Sequence, residues 1–338
     1  MQISRRGLLV AGLSGLAGLT QTGCDLGEGF SAGFGAVAVA SGYSGPVRSV
    51  ADPAWRALGW RAEGVKVAVI DAGFGGLRRQ AGTAGLRIGG MASFVEAGEV
   101  DLLADPAQHG TEMCAAIGGE DGDRQTGLAT LATFYLAKGE DEREEPRLDE
   151  ARVIRALDWA LEQGVDLINI SLGFSTFDDG APYAPSDMTG QTTALSRALQ
   201  QRLEQDPRLI AVVSAGNLGA SPWGVVSFPG DVEAALTVGS VEGDLRTRRR
   251  TSGRGPAEVP FIKPDLCVPS GRGASSVATA VVCGLAACLR GAFPAATRQD
   301  ICDALRASAS NAAAPDRNIG HGTPRASVAA ARLQRLPA

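Results

Sequence analysis

The chain has 338 residues, 44% of them hydrophobic, and a formal net charge of −5 at pH 7. That is ample apolar material for one large core, and an acidic balance argues against a nucleic-acid partner. Glycine is abundant at 45 residues and aromatics make up only 5%, which suits a tightly turned α/β fold and excludes a coiled coil or a disordered chain.

The first 23 residues read as an export signal: Arg5 and Arg6, an apolar run over 7–19, then small residues leading to Cys24. The run is too short to cross a bilayer as a permanent helix. Its SRRGLL string is similar to a twin-arginine signal, which implies export after folding, and TGC at 22–24 is similar to the end of a bacterial lipoprotein signal. Cys24 would then be the acylated mature N-terminus, although Gln21 departs from the aliphatic residue usual three positions earlier. The expected location is the cell envelope, either anchored in the membrane through that lipid or free as a periplasmic or secreted protein. Residues 24–54, rich in Gly, Ala and Ser, read as a tether or arm, and 55–336 as the folded domain.

Along that domain, GVKVAVIDAGFGG reads as a buried parallel strand ending at Asp71, at the strand end where α/β sheets place their sites. Its glycines do not complete GxGxxG, so a dinucleotide site is excluded. HGTEMCAAIGG opens a helix at His109. A strand over 132–137 follows, then a charged loop, GEDEREEPR, read as a solvated connection. Asp149 is expected to cap an amphipathic helix ending at Gly164. Further strands are expected in VDLINISLG, LIAVVSAGN and LTVGSV, with a helix ending near Gln205 between the first two. The basic run RTRRR at 246–250 reads as a surface patch. Strands alternating with helices predict an α/β fold in three layers, a mostly parallel central sheet with helices on both faces.

The stretch 271–291, GRGASSVATAVVCGLAACLRG, passes from a Gly/Ser turn into a buried helix, with Ser276 at the junction. Taken alone, Ser276 reads as a helix cap; with a base in reach it reads as a nucleophile whose oxyanion would meet unpaired helix amides. A serine nucleophile needs a base and a carboxylate to orient that base. The chain has only two histidines, His109 and His321, and His321 sits in a Gly-flanked turn near the C-terminus. The five cysteines after Cys24 form no CxxC pattern, which argues against a zinc site and leaves room for one disulfide, such as Cys288 with Cys302.

The order Asp71, His109, Ser276, with VAVIDAGF, HGT at 109–111, SLG at 171–173, SAGN at 214–217, KPDLCVPS at 263–270 and SSVATAVVCG at 275–284, resembles the subtilisin-like serine peptidases over roughly 64–332. The resemblance implies their three-layer fold and an endopeptidase acting through an acyl-enzyme. Asp71 would orient His109, His109 would act as general base and then acid, and Ser276 would be the nucleophile. Ser276 rather than Ser275 fits the family spacing to Ala278, Thr279 and Gly284. Asn217 would donate to the oxyanion. Ser171, Leu172, Gly173, Ala215 and Gly216 would line the site of an extended peptide or protein substrate. No cofactor or metal is expected: calcium sites are common in the family, yet no Asp/Asn-rich loop stands out here. A monomer is expected.

Departures from the family pattern keep a second reading open, a weakly active or inactive binding module at the membrane surface. Ala274 replaces the glycine of GTS, Ala280 the usual proline, and Val268 and Ser270 the Ala and Gly of KPDxxAPG. The loop before Ser276 is short, and the segment between Cys24 and the first strand is too short for the usual folded propeptide. An esterase is disfavoured because no GxSxG surrounds Ser276. Lipidation at Cys24 predicts incorporation of a palmitate analogue that disappears in Cys24→Ala; equal incorporation in both, or in neither, excludes the anchor.

Overall fold

The structure, a computed structural model, describes residues 42–43, 45–96, 101–122, 124–144, 146–271 and 275–336. The expected signal, Cys24 and most of the tether lie outside them, as do residues 272–274 of the turn before Ser276.

Among the described residues, ten strands form two sheets. A small one joins β1 (Gly42–Tyr43) to β4 (Glu120–Asp121) and β5 (Arg124–Gln125). The central sheet contains β2 (Lys66–Asp71), β3 (Arg87–Ser93), β6 (Thr133–Lys138), β7 (Leu167–Ile170), β8 (Ile210–Ser214), β9 (Leu236–Val241) and β10 (Leu266–Pro269), in the order β10-β9-β8-β7-β2-β6-β3 and parallel throughout. KVAVID, LINI, IAVVS and LTVGSV are continuous apolar runs because helices cover both faces and leave no face for water.

Alternation along each strand divides the interior into two cores. Val67, Val69, Leu167 and Val212 face one side with the helices His109–Gly118 and Ser275–Ala292. Ala68, Ile70, Ile168 and Val213 face the other with Leu148–Glu162 and Ala194–Gln205. This is the three-layer α/β arrangement the sequence predicts. Helix Ser275–Ala292 is buried from Ser275 to Arg290, and although long and apolar enough by composition to cross a membrane, it is the centre of the first core.

Several local expectations are corrected. Residues from Gly45 onward, assigned to the tether, form the helices Gly45–Val50 and Pro53–Leu58, and Val47, Val50 and Trp55 are buried in the first core. Asp149 is not a cap: the helix starts at Leu148, and Asp149 sits buried in its first turn, accepting from Arg152 at 2.7 Å. Cys288 and Cys302 are unbonded; Cys114, Cys267, Cys283, Cys288 and Cys302 are all buried free thiols, pushed up in pKa by burial. Strands β3 and β10 are additions that the sequence reading did not make.

The two helices of the first core approach closely at Gly284, where a Cβ would lie 2.5 Å from the carbonyl oxygen of Ile117. Backbone cannot yield as a flexible side chain does, so Gly284→Ala forces the helices apart. A loss of about 1–3 kcal/mol is expected, read as a fall in Tm of several degrees by calorimetry; an unchanged Tm means the interface can relax.

Candidate active site

The parallel register places the site. Ile70 pairs with Ile170 across β2 and β7, and Ile170 with Val213 across β7 and β8. The next residues, Asp71, Ser171 and Ser214, therefore stand in a row on one rim, about 5 Å apart per strand.

Asp71 is fully buried. Its Oδ1 accepts the Ala72 N–H at 2.8 Å and lies 2.7 Å from His109 Nδ1, while Oδ2 has no partner among the described residues. The turn after Asp71 is laced to the segment entering the His109 helix. Gly75 N–H donates to Ala107 O at 2.8 Å, Gly110 N–H to Gly73 O at 2.9 Å, and Thr111 Oγ1 to Gly75 O at 3.0 Å. A Cβ on Gly75 would fall 1.8 Å from Asp105 O, so only glycine permits this approach. Buried Lys138, opposite Asp71 on β6, clamps the same segment by donating to Asp105 at 2.6 Å and to Glu96 at 2.7 Å.

Burial lowers the pKa of His109, but the Asp71 charge and hydrogen bond overcome it, aided by Glu112 and Glu142, and raise it to about 9. Glu112 and Glu142 are themselves raised, first by burial and further by the Asp71 charge. Neither was singled out from the sequence. Glu112 was detectable, being three residues after His109 and so on the same helix face. Glu142 lies in the loop read as solvated and is itself exposed, whereas Glu140 of the same loop is buried.

Ser276 occupies the first turn of its helix and is 4% exposed. Its Oγ donates to Ser171 O at 3.3 Å, and Ser171 Oγ donates to Ser276 O at 3.4 Å. Among the described residues no hydrogen bond joins Ser276 to His109. Ser276 is thus seated on β7, the strand beside the one that ends in Asp71. Ser275 is used differently: fully buried, its N–H and Oγ meet Asn217 Oδ1 at 2.9 and 3.1 Å, and its Oγ also lies 3.0 Å from Gly216 O and 2.7 Å from Ser214 Oγ. With Oδ1 so engaged, the amide nitrogen of Asn217 is the end left to donate elsewhere.

Of the expected lining, Ser171, Leu172 and Ala215 are buried, and Gly216 has φ +73°, where a side chain would meet Ser227 Oγ at 2.3 Å. Leu172 and Gly173 make no backbone hydrogen bond among the described residues. Phe174 beyond them pairs with Phe228 in an antiparallel bridge. No group of three or more His, Cys, Asp or Glu among the described residues could hold a metal ion.

The sequence model of the subtilase family matches residues 62–322, which contain every residue of this rim. The chain belongs to the subtilase family. It is similar to subtilisin E of Bacillus subtilis (strain 168), 26% identical over 271 residues, which are 78% of this chain and 65% of that protein, just under two thirds of its length. It is also similar to the subtilisin of Bacillus pumilus, 25% identical over 273 residues, 78% of this chain and 90% of that one. Among solved structures, the Clostridium perfringens CspB protease superposes with a TM-score of 0.67 at 16% identity, covering 86% of this chain and 99% of the other. The MycP3 protease of a type VII (ESX-3) secretion system gives 0.62 at 23% identity, covering 83% and 88%. At these identities the two structures establish the fold.

Protonation of this subtilase at His109 can be followed directly, because only two histidines contribute imidazole signals. NMR should place the His109 midpoint near pH 9. Since its pKa is raised from 6.5, the stability it confers is complete below about pH 6.5 and is lost as the pH rises through about 9. Glu112→Gln removes a negative neighbour and should move the midpoint down; an unmoved midpoint excludes Glu112 as a cause.

Proposed function

We propose that this protein is a serine endopeptidase of the cell envelope, with residues 1–23 as export signal, a tether from Cys24, and a peptidase domain that begins with the helices at 45–58. The observation that carries the reading is the 2.7 Å bond between buried Asp71 and His109, with Ser276 seated one strand away in the first turn of a buried helix. Family membership supports a serine peptidase acting on peptides or proteins.

In this reading Ser276 Oγ first leaves the Ser171 carbonyl and turns toward His109. It attacks the scissile carbonyl carbon while its proton passes to His109 Nε2, and Asp71 stabilises the imidazolium that forms. The oxyanion is met by the Asn217 amide and the Ser276 N–H, which carries the partial positive charge of a helix start. Collapse passes the proton from His109 to the leaving amine and leaves an acyl-enzyme. Water, activated by the same imidazole, then releases the acid. The substrate strand pairs with the unbonded main chain at Leu172 and Gly173. Neutral His109 is required, so turnover rises with pH through the His109 midpoint.

One observation favours the non-catalytic reading: the Ser276 hydroxyl is bonded to Ser171 rather than to His109. Fluorophosphonate labelling decides between the two. The wild-type protein should label, Ser276→Ala and His109→Ala should not, and Asn217→Ala should lose roughly 100- to 1,000-fold in kcat, the magnitude carried over from the same change in subtilisin. Wild-type protein that labels no better than Ser276→Ala leaves only the binding module.

A further inference from the structure

Strand β7 reads LINI, and Asn169 is its single polar residue. It is fully buried between Val69 of β2 and Val212 of β8, in a position where an apolar residue would satisfy both neighbours. Its Nδ2 donates to Ser171 Oγ at 2.9 Å, while its Oδ1 is buried without a partner among the described residues. An orphaned buried acceptor destabilises a fold, so its presence in the middle of the sheet calls for an account other than packing.

Geometry supplies one. Residues 169 and 171 lie two apart on a strand and point to the same face, the face covered by the Ser276 helix. Ser171 Oγ accepts from Asn169 and donates to the Ser276 carbonyl at 3.4 Å. A hydroxyl has one proton and rotates freely; the amide N–H that occupies its lone pair turns that proton toward the nucleophile's own main chain. Ser276 lies one strand from Asp71, and this contact is one of the two hydrogen bonds that tie it to the end of β7.

We propose that Asn169 is a positioning residue for the Ser276 nucleophile, acting through the Ser171 hydroxyl. The proposal rests on the peptidase reading above. It predicts that removing the amide harms chemistry without harming the fold. Asn169→Leu, which keeps the branching at Cγ and carries no polar atom, should lower the fluorophosphonate labelling rate about tenfold, the order expected when a reacting group is slightly misplaced. Its Tm should equal or exceed that of the wild type, because the orphaned acceptor is gone. Ser171→Ala should lower the rate similarly, and the double variant should be no slower than the slower single one, since both changes break one relay.

Three results overturn the proposal alone, given a wild type that labels: Asn169→Leu labelling at the wild-type rate, a Tm that falls together with the rate, or losses that multiply in the double variant. A wild type that fails to label overturns the peptidase reading and this proposal together.

Discussion

Everything at this site depends on the register of three parallel strands. Each hydrogen-bonded pairing of β2 with β7 and of β7 with β8 fixes which residue of one strand stands beside which residue of the next. Because side chains alternate, a slip of one residue would turn Asp71 from the rim to the opposite face and exchange the two cores. The register is therefore enforced by the apolar residues below: Val67, Val69, Leu167 and Val212 cannot leave the core that the Ser276 helix shares without exposing themselves. The polar residues at the strand ends inherit their placement from this burial and contribute little to it.

The electrostatics follow from the same placement. Asp71 is wholly buried, and a carboxylate removed from water attracts any nearby proton carrier strongly. His109 is the group the turn 73–76 and the segment 105–111 bring to it, and the Asp71–His109 attraction outweighs the cost of placing an imidazolium in a poorly solvated site. Lys138 compensates a different pair of carboxylates, Asp105 and Glu96, and does not compete for Asp71. The negative charge of Asp71, Glu112 and Glu142 is thus available to the imidazole.

How much of this is legible in the sequence depends on how local its cause is. Strand β2 and the SLG and SAGN ends are readable because a continuous apolar run between glycines has few other structures available to it. Strand β3, RIGGMAS, is not, because it is an edge strand with alternating exposure and two glycines, and only its pairing with β6 makes it a strand. β10 is four residues ending in proline. The 139–147 loop looks solvated from its charges, yet Glu142 acts on a histidine 33 positions earlier; charge composition carries no such information. The hydrogen bonds of Ser276 are equally silent, because Ser171 and Ser276 lie 105 residues apart. Even the choice between Ser275 and Ser276 comes from family spacing, while the geometry that separates their surroundings is tertiary.

Buried polar groups without partners are uncommon, and each asks for a cause. Among the described residues four such atoms occur: Asp71 Oδ2, Asn169 Oδ1, Ser240 Oγ and Arg290 Nε. Three of the four lie in the central sheet, Ser240 on β9 and the other two, Asp71 and Asn169, on the adjacent strands β2 and β7 within two residues of the rim. A sequence selected for stability alone would fill both places with aliphatic residues. That it does not means the rim is held by a requirement the core does not share. On the peptidase reading, a carboxylate must orient an imidazole here, and a hydroxyl must keep one orientation against a helix start. These two requirements account for why the polar residues of β2 and β7 are where they are, and the apolar residues around them account for why the sheet tolerates them.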